Sequence, residues 1–151
     1  MRYLAVDHGE KRTGLAICDK AETMACPLKV IVGQGSLVKQ IVKVVVEECI
    51  ETVVVGLPLN MDSTEGPRAK SVRVFGAELD KAAQVPVIYY DERLSTFDAE
   101  KKLAGLDLTR KKKKKHLDAV AAASILEAFL EHKHGDVQTD SEFDSPDNQG
   151  F

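Results

Sequence analysis

The stretch that most restricts this chain is residues 5–14, Ala5-Val6-Asp7-His8-Gly9-Glu10-Lys11-Arg12-Thr13-Gly14. An apolar run ends in a carboxylate, turns within a few residues and continues into a second apolar run, Leu15-Ala16-Ile17-Cys18. That pattern predicts a β-hairpin with an acid at its mouth. Gly9 and Gly14 fall where the backbone must bend or admit a close neighbour, since only a residue without Cβ takes positive φ freely. Lys11 and Arg12 place two cations beside Asp7. A carboxylate flanked by bare backbone and cations suits a metal ion, a phosphate or both, although Asp and Gly also populate hairpin turns for backbone reasons alone.

After the hairpin strands, residues 2–7 and 13–18, residues 25–32 read as a third strand in which Pro27 marks an edge or an irregular entry. Gly33-Gln34-Gly35-Ser36 is turn chemistry, and Ser36 can cap the helix that follows. Val38, Ile41, Val42, Val45 and Cys49 recur at helical spacing. Thr52-Val53-Val54-Val55 is a short, continuously apolar run, as expected of a parallel strand buried on both faces. A polar loop over 59–66 leads to Pro67 at the first position of a helix whose stripe is Val72, Phe75, Leu79 and Ala82. Residues 85–90 form a second buried strand, ending in Asp91-Glu92-Arg93. Ser95 and Asp98 resemble a capping box for a helix over 96–103, and a last helix spans about 116–131.

Three strands followed by alternating helix and strand describe an α/β domain with a mixed sheet of about five strands and helices on both faces. Crossovers through the helices make the strands ending at Asp7, Val55 and Tyr90 parallel. Their carboxyl ends share one rim, the edge where open α/β folds bind ligands. A chain of 151 residues is long enough for one such domain with its own core. We assign residues 1–134 to it and residues 135–151 to a disordered acidic tail. No apolar run approaches the roughly 20 residues that span a bilayer, and Asp7 and Glu10 interrupt the only place for a signal peptide. A cytoplasmic protein is expected, with Cys18, Cys26 and Cys49 as reduced core residues.

The formal net charge of −3 hides a segregation. Asp136, Asp140, Glu142, Asp144 and Asp147 follow Gly135 with no Lys or Arg among them, whereas residues 110–115 are six consecutive cations. Such a block is suited to lying along a phosphate backbone, or is a solvated loop.

Three carboxylates should meet on the rim. Asp7 ends one strand and Asp91-Glu92 another; neighbours in an extended chain face opposite ways, so one of the two joins Asp7, with Glu92 favoured. Asp118 shares its helix face with Ala121, Ala122 and Ile125, small residues that allow close approach to the sheet. Three like charges repel unless a divalent cation holds them, and oxygen-only ligands suit Mg²⁺ or Mn²⁺. A pair of such ions is the usual arrangement for in-line attack on a phosphodiester. His8, His132 and His134 are not assigned to metal.

Residues 7–14, then Val55-Gly56-Leu57-Pro58-Leu59-Asn60-Met61-Asp62, Asp91-Glu92-Arg93-Leu94-Ser95-Thr96 and Leu117-Asp118-Ala119-Val120-Ala121-Ala122 resemble, in order, the four signature segments of the YqgF/RuvX family. The resemblance implies a ribonuclease H-like fold, kinship with Holliday-junction resolvases, and a nuclease that matures the 5′ end of the small-subunit ribosomal RNA precursor. The family's acidic site would fall on Asp7, Asp91 or Glu92, and Asp118. His8 and the lysine-rich block depart from the pattern. Phosphates would be held by Lys11, Arg12, Asn60, Arg93 and Lys111, Lys112, Lys113, Lys114 and Lys115. The expected partner is nucleic acid, structured RNA or branched DNA, bound by a monomer or homodimer. Two other readings compete. A phosphate loop of the actin and sugar-kinase type requires a second domain for which this chain has no room, and a non-catalytic nucleic-acid-binding factor would keep the carboxylates without turnover.

Overall fold

A computed structural model describes residues 1–94 and 118–135. The helix expected over 96–103 with its capping box, the cationic run 110–115 and the acidic tail lie outside the described residues. Five strands, β1 (Tyr3–His8), β2 (Arg12–Cys18), β3 (Ala25–Val32), β4 (Thr52–Leu57) and β5 (Val87–Asp91), form one sheet in the order β3-β2-β1-β4-β5. The first three are antiparallel, and β4 and β5 run parallel to β1. Helices α1 (Leu37–Glu47) and α2 (Pro67–Ala83) supply the crossovers, and α3 covers 118–135.

Alternation along each strand divides the core in two. Leu4, Val6, Leu15, Val53 and Val55 pack with Ile41, Val45, Val72, Phe75 and Leu79 of α1 and α2. Tyr3, Ala5, Ala16 and Val54 pack with Ala122, Ala123, Ile125, Leu126 and Leu130 of α3. Since Tyr3 and Ala5 face α3, the same period turns Asp7 toward α3 and His8 toward α2. His8 stacks on Phe75 at 4.1 Å between ring centroids. All of β4 is buried, as a central parallel strand must be.

Several expectations need correction. β5 is half-buried throughout, because it is the sheet's edge and has a partner on one side only. The stripe of α2 continues through Ala83 while Ala82 is exposed. Ser36 occupies the N-cap of α1, but its hydroxyl accepts from the Gln40 side chain rather than from a backbone N–H. Cys18 is buried, whereas Cys26 and Cys49 are exposed. Cys49 does not extend the helical stripe because the helix has already ended: it sits at φ 54, with its N–H on Val46 O and that of Ile50 on Val45 O, a Schellman stop. Neither Gly9 nor Gly14 has positive φ; both serve close approach instead.

Candidate active site

The hairpin mouth closes with the Gly9 N–H donating to Arg12 O at 2.9 Å. Gln34 ties the loop down by donating its side-chain amide to Gly9 O and Glu10 O. Across the ladder Asp7 lies directly opposite Gly14, so both share the face toward α3. A Cβ at Gly14 would overlap the backbone carbonyl of Asp118. The bare backbone at residue 14 is therefore the seat on which α3 brings Asp118 to the rim. Gly56 does the same work on the other side of Asp7. A Cβ there would stand 2.7 Å from Ile125 Cδ1, so the missing side chain makes room for Ile125 of α3, and Glu92 Oε2 lies 3.6 Å from the same point.

Glu92 opens the 3-10 turn after β5 and hydrogen-bonds the Asp7 carboxyl, which donates as the protonated partner. Burial first, then the charges of Glu92 and Asp118, pushes Asp7 up to about 7. Burial also raises Glu92, against the opposing pull of Arg68. Asp118 is raised by burial too, and Arg12 counteracts it through an ion pair, Nε to Oδ2, of 3.0 Å. Two carboxyl groups thus share a proton at the rim and a third, Asp118, acts on Asp7 through its charge, with the guanidinium groups of Arg68 and Arg12 offsetting them.

The sequence-predicted residues separate in this geometry. Asp7 and Glu92 are in contact, and Asp118 adds its field but is held by Arg12. Asp91 does not join them: Arg93 binds it at 2.6 Å and holds its carboxyl below the usual range. Arg93 is not free for phosphate either. Its guanidinium donates to both oxygens of Asp91, to Asn60 O, to Met61 O and to Ser63 Oγ, which fixes the 60–63 loop beside Glu92. The Asn60 side chain donates to Thr64 Oγ1 inside that loop. Lys11 is exposed, and Lys111 to Lys115 lie outside the described residues. Neither Lys11 nor Arg12 is the cation that acts on Asp7. That cation is Arg68, whose Nη2 donates to His8 O at 2.7 Å. Sequence reasoning missed it, although Pro67 at the first helical position already places Arg68 in the first turn of α2, just past the rim loop.

Among the described residues no group of three or more His, Cys, Asp or Glu side chains is arranged to hold a metal ion. The donor chemistry nevertheless suits a hard divalent cation. Asp7 and Glu92 are half-buried oxygen donors joined by a hydrogen bond, and Asp118 stands at the same rim on a second element.

Residues 1–132 match the model of the RuvX family, described as Holliday junction resolvases. A protein of Anaeromyxobacter sp. named "Putative pre-16S rRNA nuclease" is 42% identical over 137 residues, covering 89% of this chain and 99% of its own. One of the same name from Caldanaerobacter subterraneus is 40% identical over 134 residues, 87% of this chain and 96% of its own. Among solved structures, RuvC of T. thermophilus in complex with a Holliday junction substrate superposes with a TM-score of 0.60 at 18% identity, covering 89% of this chain and 96% of that one. The Fowlpox virus resolvase bound to Holliday junction DNA gives 0.54 at 13% identity, over 87% and 98%. At these identities the structural likeness concerns the fold, which is the ribonuclease H-like fold of the resolvases.

Proposed function

The chain belongs to the RuvX family, and from that premise we propose that it is a nuclease that cuts the 5′ end of the 16S ribosomal RNA precursor with a divalent cation, Mg²⁺ or Mn²⁺, held by Asp7, Glu92 and Asp118. The observation that carries this reading is the half-buried, hydrogen-bonded Asp7–Glu92 pair at the rim, with Asp118 arriving from α3. When bound, the cation polarises the scissile phosphate and lowers the pKa of an attacking water. Everything else belongs to the chain's own residues. Arg68 fixes the end of β1 through His8 O and so sets where Asp7 points. Arg93 fixes the 60–63 loop, and with it one wall of the site. Arg12 is partly exposed at the hairpin mouth, where a phosphate would meet it. The cationic run 110–115 precedes Asp118 in sequence and would bind the nucleic-acid backbone. A cytoplasmic setting follows from such a substrate; no helix among the described residues is long and apolar enough to cross a membrane.

A four-way DNA junction is the alternative substrate, a reading supported by the family's description and by the likeness to the fold of RuvC. Both are tested together by incubating labelled rRNA precursor and labelled junction with Mg²⁺, Mn²⁺ or EDTA, with Asp7→Asn as control. Metal-dependent cutting of RNA by the unmutated protein alone is expected. Binding of both nucleic acids without cleavage of either would replace the nuclease with a binding factor.

A further inference from the structure

We propose that Arg12 is a positioning residue that holds Asp118 away from the Asp7–Glu92 pair until a phosphate of the nucleic acid takes its guanidinium. This inference rests on the metal-nuclease reading and names what couples the cation to the substrate.

Four observations carry it. Asp118 is the carboxylate that would complete the donor set, yet in this structure its Oδ2 accepts from Arg12 Nε at 3.0 Å. The backbone at Asp118 already touches the bare backbone of Gly14, so α3 can come no closer to the sheet there. Whether Asp118 serves Arg12 or a cation is therefore a matter of its side chain alone. Arg12 itself is fixed at its Cα by pairing with Val32 of β3, and the loop before it is stapled by Gln34. Its side chain is 30% exposed, and among the described residues its terminal nitrogens have no other partner. Among the described residues four N–H donors thus remain in the planar fork that matches a phosphate. Arg93 offers the contrast, since all its donors are spent on Asp91 and the 60–63 loop.

The exchange conserves ion pairs. Arg12 trades a carboxylate for a phosphate, and Asp118 trades a guanidinium for the cation. Linkage then requires each ligand to strengthen the other: the free protein holds the cation weakly, and the site is completed where nucleic acid lies across the hairpin mouth.

The test is calorimetric titration of the full chain with Mn²⁺ alone, without nucleic acid, so that no cleavage enters the readout. Wild type, Arg12→Gln, Asp118→Asn, the Arg12→Gln/Asp118→Asn double variant and Asp7→Asn are compared, each first checked for cooperative thermal unfolding. Arg12→Gln should bind Mn²⁺ about tenfold more tightly than wild type, and the gain should vanish in the double variant. A gain that persists without Asp118 would reduce Arg12 to a general positive charge and overturn the proposal. So would equal affinities of wild type and Arg12→Gln, with Asp7→Asn not binding; that result leaves the metal site standing. If no variant, wild type included, binds Mn²⁺, the metal-nuclease reading falls with it.

Discussion

Helix α3 joins two ends of the sheet whose carboxylates are treated in opposite ways. At its far end Glu22 receives the N-terminal ammonium at 3.2 Å, Lys133 Nζ at 2.8 Å and His134 Nε2 at 3.3 Å. Hydrogen bonds from these partners hold the Glu22 carboxyl below its ordinary range despite some burial. Lys133 also donates to the Tyr3 hydroxyl, so this end is a closed, mutually satisfied cluster. At the rim, Asp7 is hydrogen-bonded to another acid, Glu92, and burial together with that neighbouring charge pushes it up to about 7. One end of the helix is arranged for stability. The other sets one acid against another with burial raising both, an arrangement that fits the cation proposed for this site.

The largest effect should come from Asp7→Asn. Cleavage should fall by about 10³-fold or more, equivalent to roughly 4 kcal/mol of transition-state stabilisation, because the amide neither carries the charge nor replaces the buried donor. Single-turnover cleavage with excess enzyme measures it. Activity within tenfold of wild type would break the comparison outright.

Gly14→Ala attacks the seat rather than the charge. Its methyl would overlap the Asp118 carbonyl, so α3 must shift, at a cost of about 3 kcal/mol in chemical denaturation. Cleavage should fall along with stability, since Asp118 moves with the helix.

The rim also predicts a pH dependence for the metal-free protein. Asp7 holds its proton more tightly folded than unfolded, so stability from this group is fully present in acid and declines as pH rises toward about 7. Burial of neutral His8, whose pKa is lowered, works in the opposite direction, and comparison with Asp7→Asn isolates the carboxyl. In EDTA, Asp7→Asn should be more stable than wild type by about 2 kcal/mol at pH 8, and the advantage should shrink as pH falls below about 7 and vanish only near the ordinary carboxylate value of 3.8. Parallel stability curves would contradict it.

At the closed end, Glu22→Gln should cost about 1 kcal/mol of stability and leave cleavage unchanged. A loss of activity there would mean that the two ends are not separable.

Much of this architecture was legible in the residues, for reasons that also mark the limit. Local patterns carried the hairpin, the apolar run of β4 and the break at Pro67, whereas period-2 alternation allowed only one of Asp91 and Glu92 beside Asp7 without deciding which, since Glu92 lies in the 3-10 turn past the strand end. Burial of β5 was overestimated because its composition resembles that of β4, and only the strand order reveals which of them is an edge. Arg68 escaped because its contact is to a backbone carbonyl 60 residues away, and a carbonyl leaves no side-chain signature. Arg93 was taken for a phosphate ligand because a cation beside two acids on a rim looks free until the carbonyls of the 60–63 loop are seen to occupy it. The apolar neighbours of Asp118 place it on the sheet-facing side of its helix, but its pairing with Arg12 spans 106 residues and no spacing rule reaches that far.

The most direct test of the central claim is thermal unfolding at pH 8 with increasing Mn²⁺, on wild type and Asp7→Asn side by side. A cation that binds the folded rim stabilises it by mass action, by about 2.7 kcal/mol at a hundredfold excess over Kd, so the wild-type midpoint should climb with Mn²⁺ while that of Asp7→Asn stays flat. Equal shifts in both proteins, or none in either, would mean that the charge stored at Asp7 is not held for a metal ion.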